Sequence, residues 1–289
     1  NAYDLSNVNT DDVTIGDEDS EYRLPLATVY VSMSELNEGG ADIKTLFDEA
    51  DIWLPSPLPG NAAYVDLREL QNTPETITPL LDALIDQMMD DDAKITAVAD
   101  LLAEKYLSTF LPLLPPNTDP ADFKPVFIEA FRNMPMLHDR LSGEVKSLAG
   151  SYLTELKVQD VTYDIGKIDI GGDVVDMLCE NLDSEGTPNP KNTLHLYGSI
   201  TSALPVSLRL VPYFSPTNVR FDVTVEPGKT NEIRETQLFE SDLRQIIEGA
   251  EIILPVSLEK YYPGYDFTSD QQIVITLRLI KRGGLKLNL

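Results

Sequence analysis

Between Thr73 and Met136 apolar residues recur at three-and-four spacing through three consecutive runs, and no other stretch limits the fold of this chain as strongly. A helix with one apolar stripe must bury that stripe, so three in succession demand a shared interior. Thr78 is placed as an N-cap with Pro79 at the first helical position, where a missing N–H costs nothing. Leu80, Leu81, Leu84, Ile85, Met88 and Met89 then fall on one face. After Asp90-Asp91-Asp92 a second helix starts with Asp92 as its cap; Ile95, Val98, Ala99, Leu102, Tyr106 and Phe110 keep the spacing as far as Leu111-Pro112. Asp119-Pro120 opens the third, ahead of Phe123, Val126, Phe127, Ala130 and Phe131, and Met134-Pro135 closes it. Residues 137–150 predict a weaker fourth helix.

On both sides of this stretch the pattern changes. Leu24 to Met33 reads as a strand, Asp42 caps a short helix through Ile43, Leu46 and Phe47, and Ala63, Val65 and Leu67 alternate with polar neighbours as a strand would. From Tyr152 the period is two. Val161, Tyr163 and Ile165; Leu194, Leu196 and Ile200 around Gly198; and Val206, Leu208 and Leu210 each predict a strand. So do Val219 to Val225, closed by the turn pair Pro227-Gly228, then Ile252 to Leu258, and Ile273 to Leu279. Short helices follow Asp173 and Ser241. The connections are too short for parallel crossovers, so the sheet is expected to be antiparallel. The fold class is α+β: mainly antiparallel sheet with a helical segment, about residues 73–136, packed on it or wrapped by it. The chain divides into an acidic leader or tether (1–21), a strand-plus-helices region (22–150) and an antiparallel β region (151–289), the last two either separate or one continuous body.

The 42% hydrophobic fraction is that of a folded protein, despite a formal net charge of −26. Such a charge repels phosphate backbones and anionic membrane surfaces, which argues against nucleic acid as a partner. Acid crowds residues 1–60, where Arg23 and Lys44 are the only strong bases, whereas residues 271–289 carry no acid. The single cysteine, Cys179, lies in an apolar run and forms no internal disulfide; with nothing basic near it in sequence, it reads as a buried core residue. No run is long and apolar enough to span a bilayer.

Tyr3-Asp4-Leu5-Ser6-Asn7-Val8-Asn9-Thr10, followed by Leu24-Pro25-Leu26, resembles the start of a group of uncharacterised Bacteroidetes cell-envelope lipoproteins. There a YDLSN-(I/V)-(D/N)-T stretch follows shortly after the lipid-modified cysteine. Ser202-Ala203-Leu204-Pro205-Val206 and Ile280-Lys281-Arg282-Gly283-Gly284-Leu285 resemble a strand start and the terminal strand of the same group. The resemblance implies an exported protein on the cell surface or the periplasmic side of the outer membrane. Attachment would be only through a lipid anchor lying before this chain.

No catalytic or cofactor motif is present, and no cofactor or metal site is expected. Asp90-Asp91-Asp92 lacks the glycine turn and further carboxylate of a calcium loop and reads as a helix cap. There is no G-x-S-x-G, and His138 and His195 have no supporting motif. The segment with the look of a binding site is Tyr261-Tyr262-Pro263-Gly264-Tyr265-Asp266-Phe267, whose rings (Tyr261, Tyr262, Tyr265, Phe267) can stack on sugars or grip an apolar ligand. Trp53 beside the loop 55–60 joins them as a candidate. The expected function is a non-enzymatic, exported, lipid-anchored envelope protein presenting a binding, adhesive or structural surface to a protein, glycan or lipid partner. The alternative is a carrier that holds a lipid or other apolar ligand in a groove between helices and a curved sheet.

Overall fold

The computed structural model describes residues 13–34, 42–156, 161–164 and 170–287. The run Ile273 to Leu279 lies within β12 (Gln272–Arg282), which is hydrogen-bonded along its length to β2 (Glu21–Ser32) on one side and β5 (Thr193–Ser202) on the other. Beyond β5 the same sheet ends at β9 (Thr230–Leu238). A second sheet has the order β3 (Val65–Asp66), β11 (Val256–Tyr261), β6 (Val206–Leu210), β8 (Val223–Val225). The third places β10 (Glu251–Leu254) between β4 (Val161–Asp164) and β7 (Tyr213–Ser215). Every strand pair among the described residues is antiparallel, and with the helices below this makes the fold α+β. Because β2 lies beside β12, a sheet crosses the sequence border near residue 150.

The acidic leader differs from the expected tether over its described part. β1 (Val13–Ile15) pairs with β13 (Leu285–Leu287), and Tyr22 Oη donates to Ile15 O at 2.9 Å across the turn at Gly16, φ 82°. Residues 1–12, including the Tyr3 to Thr10 stretch, lie outside the described residues, as does Ile165. The alternation Ala63 to Leu67 gives only the two-residue β3, because Asp66 Oδ1 accepts the amides of Arg68 and Glu69 (3.0 and 3.1 Å) and starts helix α2 (Leu67–Asn72). The run from Ile252 to Leu258 is two strands in different sheets, split at Pro255, which has no N–H for a ladder. From Val219 to Val225 only the last three residues form a strand; Val219 and Phe221 are buried, with Phe221 N bonded to Pro212 O at 2.9 Å.

Helix α1 (Ile43–Trp53) is capped as expected, Asp42 Oδ1 accepting Thr45 N at 3.1 Å. Helix α3 (Thr78–Asp90) begins one residue earlier than Thr78 as a cap would allow: Ile77 holds the cap position, and Leu81, Leu84, Ile85 and Met88 are buried while Met89 is exposed. The cap of α4 (Asp92–Lys105) is Asp91 rather than Asp92, accepting Ala93 N at 2.8 Å, and Asp92 instead pairs with Arg132. The predicted second helix breaks at Tyr106, beyond which α5 (Leu107–Phe110) carries the buried Phe110. The third helix forms as α6 (Phe123–Asn133), and the weak fourth is α7 (Pro135–Thr154), twenty residues long with Pro135 in its first turn. Helices α8 (Gly172–Cys179) and α9 (Glu240–Gly249) lie among the strands that follow.

Helices and sheets meet at α1. Phe47, fully buried, stacks on Tyr261 (4.8 Å between ring centroids) and on Phe267 (4.9 Å), and Tyr152 Oη donates to Leu46 O at 2.7 Å. Glu49, also buried, accepts Tyr106 Oη at 3.0 Å and Trp53 Nε1 at 3.4 Å and pairs with Lys105. Lys94 Nζ closes the end of α1 by donating to Asp51 O and Leu54 O, and burial pulls its pKa down to about 8.

Alkaline pH is expected to unfold the protein through its tyrosines. Burial, reinforced by Glu49, pushes Tyr106 up to about 12; burial, reinforced by Glu226, does the same to Tyr262; Tyr152 and Tyr261 shift in the same direction. A phenol ionises near 10 in an unfolded chain, so the stability held by the neutral phenols is complete below about pH 10 and is lost as pH rises toward 12. Lys94 acts with the opposite sign: the unfolded chain holds that proton more tightly from about pH 8 to 10.5, so its contribution to stability rises there. Part of the tyrosinate absorbance should therefore appear in one cooperative step with the loss of circular dichroism above about pH 10. If all twelve tyrosines ionised near pH 10 with the fold intact, the reading would be wrong.

Candidate functional site

Tyr261 is the inward residue at the end of β11, and Tyr262 therefore faces outward. The loop that follows turns at Gly264 (φ 81°) and is tied by Thr268 N to Gln271 Oε1 at 3.2 Å and by Gln271 Nε2 to Asp266 O at 3.0 Å. Phe267 drops into the core against Phe47, which leaves Tyr265 outside at 62% exposure. Opposite stands the turn Pro227-Gly228-Lys229, with Gly228 at φ 66° and its N–H on Ser202 O at 2.9 Å. Leu204 and Pro205, from the β5–β6 connection, form the floor, and Tyr262 N is held by Pro205 O at 3.3 Å. The three loops enclose an open cleft of about 450 Å³ whose walls carry Tyr262, Tyr265, Glu226, Asp266, Lys229 and Gln271.

Glu226 accepts Tyr262 Oη at 2.8 Å and Lys260 Nζ at 3.0 Å; the tyrosine hydroxyl first and then the lysine hold its carboxyl below the usual range, so it is ionised at neutral pH. The cleft thus offers aromatic faces, an apolar floor and the fixed acceptor Glu226, with the exposed charges of Lys229 and Asp266 at its walls. Of the five residues expected from the sequence, the structure brings Tyr262 and Tyr265 to this cleft. It places Tyr261, Phe267 and Trp53 in the core, where stacking on Phe47 or bonding to Glu49 leaves no face for a ligand. Sequence reasoning missed Glu226, Lys229, Lys260 and Gln271. The turn signal at Pro227-Gly228 marked the loop but not its neighbour across the sheet.

A wider polar cleft of about 690 Å³ lies beside Cys179, Asp183 and Arg244. Burial, with the nearby Glu240 adding to it, pushes the Cys179 thiol up to about 11, which makes it a poor nucleophile. His138 is spent on packing, Nδ1 at 2.7 Å from Phe131 O, and burial lowers the pKa of His195 on β5. Among the described residues there is no group of three or more metal-ligating side chains, and no helix is long and apolar enough to cross a membrane.

No protein-family model and no curated protein matches this chain. Among solved structures it has a likeness to the "putative secreted protein" of Parabacteroides distasonis ATCC 8503, with a TM-score of 0.32 and 17% identity over 44% of this chain and 38% of that one. The chain therefore spans well under half of that protein, and a likeness of this size carries no argument about fold or function.

Proposed function

We propose that this is a non-enzymatic, exported and lipid-anchored protein of the cell envelope whose cleft at Tyr262 and Tyr265 binds a neutral glycan. One observation carries the reading: two outward tyrosines and the fixed carboxylate Glu226 converge on one open cleft, next to Asp266 and Gln271. Tyrosine faces pack against the C–H faces of sugar rings, while carboxylate and amide groups bond their hydroxyls. The acidic surroundings disfavour anionic ligands. Export and the anchor are supported by the Tyr3 to Thr10 resemblance. The carrier reading has less support, since the space between α1 and β11 is filled by Phe47, Tyr261 and Phe267.

The test is a glycan array of neutral and acidic sugars, with proline-rich peptides as comparison, probed with the wild type and Tyr265→Ala. Neutral glycans should be retained by the wild type and lost by roughly tenfold or more in the variant, with no change in melting temperature. Binding that ignores Tyr265, or a preference for peptides, would remove the proposal. Labelling of the full-length protein with a palmitate analogue in its own cells tests the anchor, and absence of label would refute it.

A further inference from the structure

We infer that the cleft is one half of a longer site, and that its occupant is an extended glycan chain crossing a tyrosine ridge into a second groove. This rests on the glycan reading above. The second groove encloses about 300 Å³ between the loop carrying Leu58 and Ala62, the β3–α2 corner with Asp66 and Glu69, and the start of α3 at Pro79 and Leu80. Its near wall is Tyr64, which is 40% exposed. The Tyr64 and Tyr262 rings stand 5.5 Å apart at 52°, so a single pair of rings separates the grooves.

The ridge is built rather than incidental. Asp66 pairs with Lys260 and Val65 with Tyr261 in the β3–β11 register, which fixes the wall of one groove to the wall of the other through one strand pair. Lys260 Nζ lies over the Tyr64 ring at 4.8 Å from its centroid and also bonds Glu226 at 3.0 Å, while Glu226 takes the Tyr262 hydroxyl. One ammonium group thus contacts Tyr64 directly and Tyr262 through Glu226. The two grooves carry apolar contacts (Leu58, Pro79, Leu204, Pro205) and acceptors (Asp66, Glu69, Glu226, Asp266), the two kinds of partner that the apolar faces and hydroxyl edges of a sugar chain call for. A free monosaccharide would occupy only one of these grooves.

The experiment is calorimetric titration of the whole protein with an oligosaccharide series of increasing length, in the linkage that the array selects. Affinity should rise with length until both grooves are filled and then level off. Tyr64→Ala should lower affinity for the long members by about tenfold more than for the disaccharide, whose cleft it reaches only through Tyr262 and Lys260. Ala62→Trp, which fills the second groove at an exposed position, should do the same without disturbing Lys260 or Glu226, and Tyr64→Phe should restore binding. If disaccharide and long chain bind alike, or if both lose equally in the second-groove variants, the extended site is refuted while the glycan reading stands. If no glycan binds and Tyr265→Ala changes nothing, both fall. A preference for proline-rich peptides would replace the sugar chain and refute the inference as stated.

Discussion

Truncating Phe47 to alanine should lower the unfolding free energy by about 3 to 5 kcal/mol, the usual cost of removing a fully buried phenylalanine. The ring is sandwiched by Tyr261 on β11 and Phe267 on the following loop, so its loss opens a cavity bounded by helix on one side and sheet on the other. Neither wall collapses easily: Tyr261 is the last residue of a paired strand, and α1 is tied through Glu49 to Lys105 and Tyr106. The expected result is a single transition at lower temperature, followed together by helix and sheet signals. Leu84→Ala, at the centre of the α3 stripe and fully buried, should displace that same transition by about 2 to 5 kcal/mol. Calorimetry showing two transitions with only one displaced would mean that helices and sheets unfold independently. The cleft should feel Phe47 as well, since Phe267 anchors the loop that presents Tyr265.

The parts of this fold legible in the sequence are those where one local rule acts alone. Asp42 before an amphipathic run caps α1, and the alternation of β12 and β5 puts their apolar residues inside. Where two rules compete, the sequence misleads. Asp91 and Asp92 are both acceptable caps, and tertiary pairing of Asp92 with Arg132 decides between them. Ala63 to Leu67 alternates like a strand, yet Asp66, the residue before its end, is also a cap, and the helix wins after the two residues of β3. The aromatic segment 261–267 was visible as a cluster, but which rings face out depends on Phe47, more than two hundred residues earlier in the chain. Glu226 and Lys260 carry no local signature either; they are paired by the order of strands in the second sheet, which spacing along one chain does not encode.

Gly198 is the position where a single methyl group should do most damage. It lies in the middle of β5, opposite Leu277 on β12 and Ile233 on β9, beside a bulge between Leu196 and Gly198. A Cβ at this site would come within 1.9 Å of Thr276 O and 3.2 Å of Leu277 Cα, both backbone atoms of the strand that centres the sheet. Because backbone in a paired strand cannot rotate away as a side-chain tip can, β12 and β5 must separate or the bulge must move, and either breaks ladder hydrogen bonds. Gly198→Ala is therefore expected to cost about 3 kcal/mol or more, a fall of about 6 °C or more in melting temperature. The matched control is Gly143→Ala on α7, where a Cβ meets nothing within 4 Å and the change should be neutral or stabilising by about 0.5 to 1 kcal/mol. Thermal melts of the two variants beside the wild type decide the matter. Equal melting temperatures for all three would show that the β5–β12 ladder is looser at Thr276 than the contact requires, and the close approach would then not be what selects glycine at position 198.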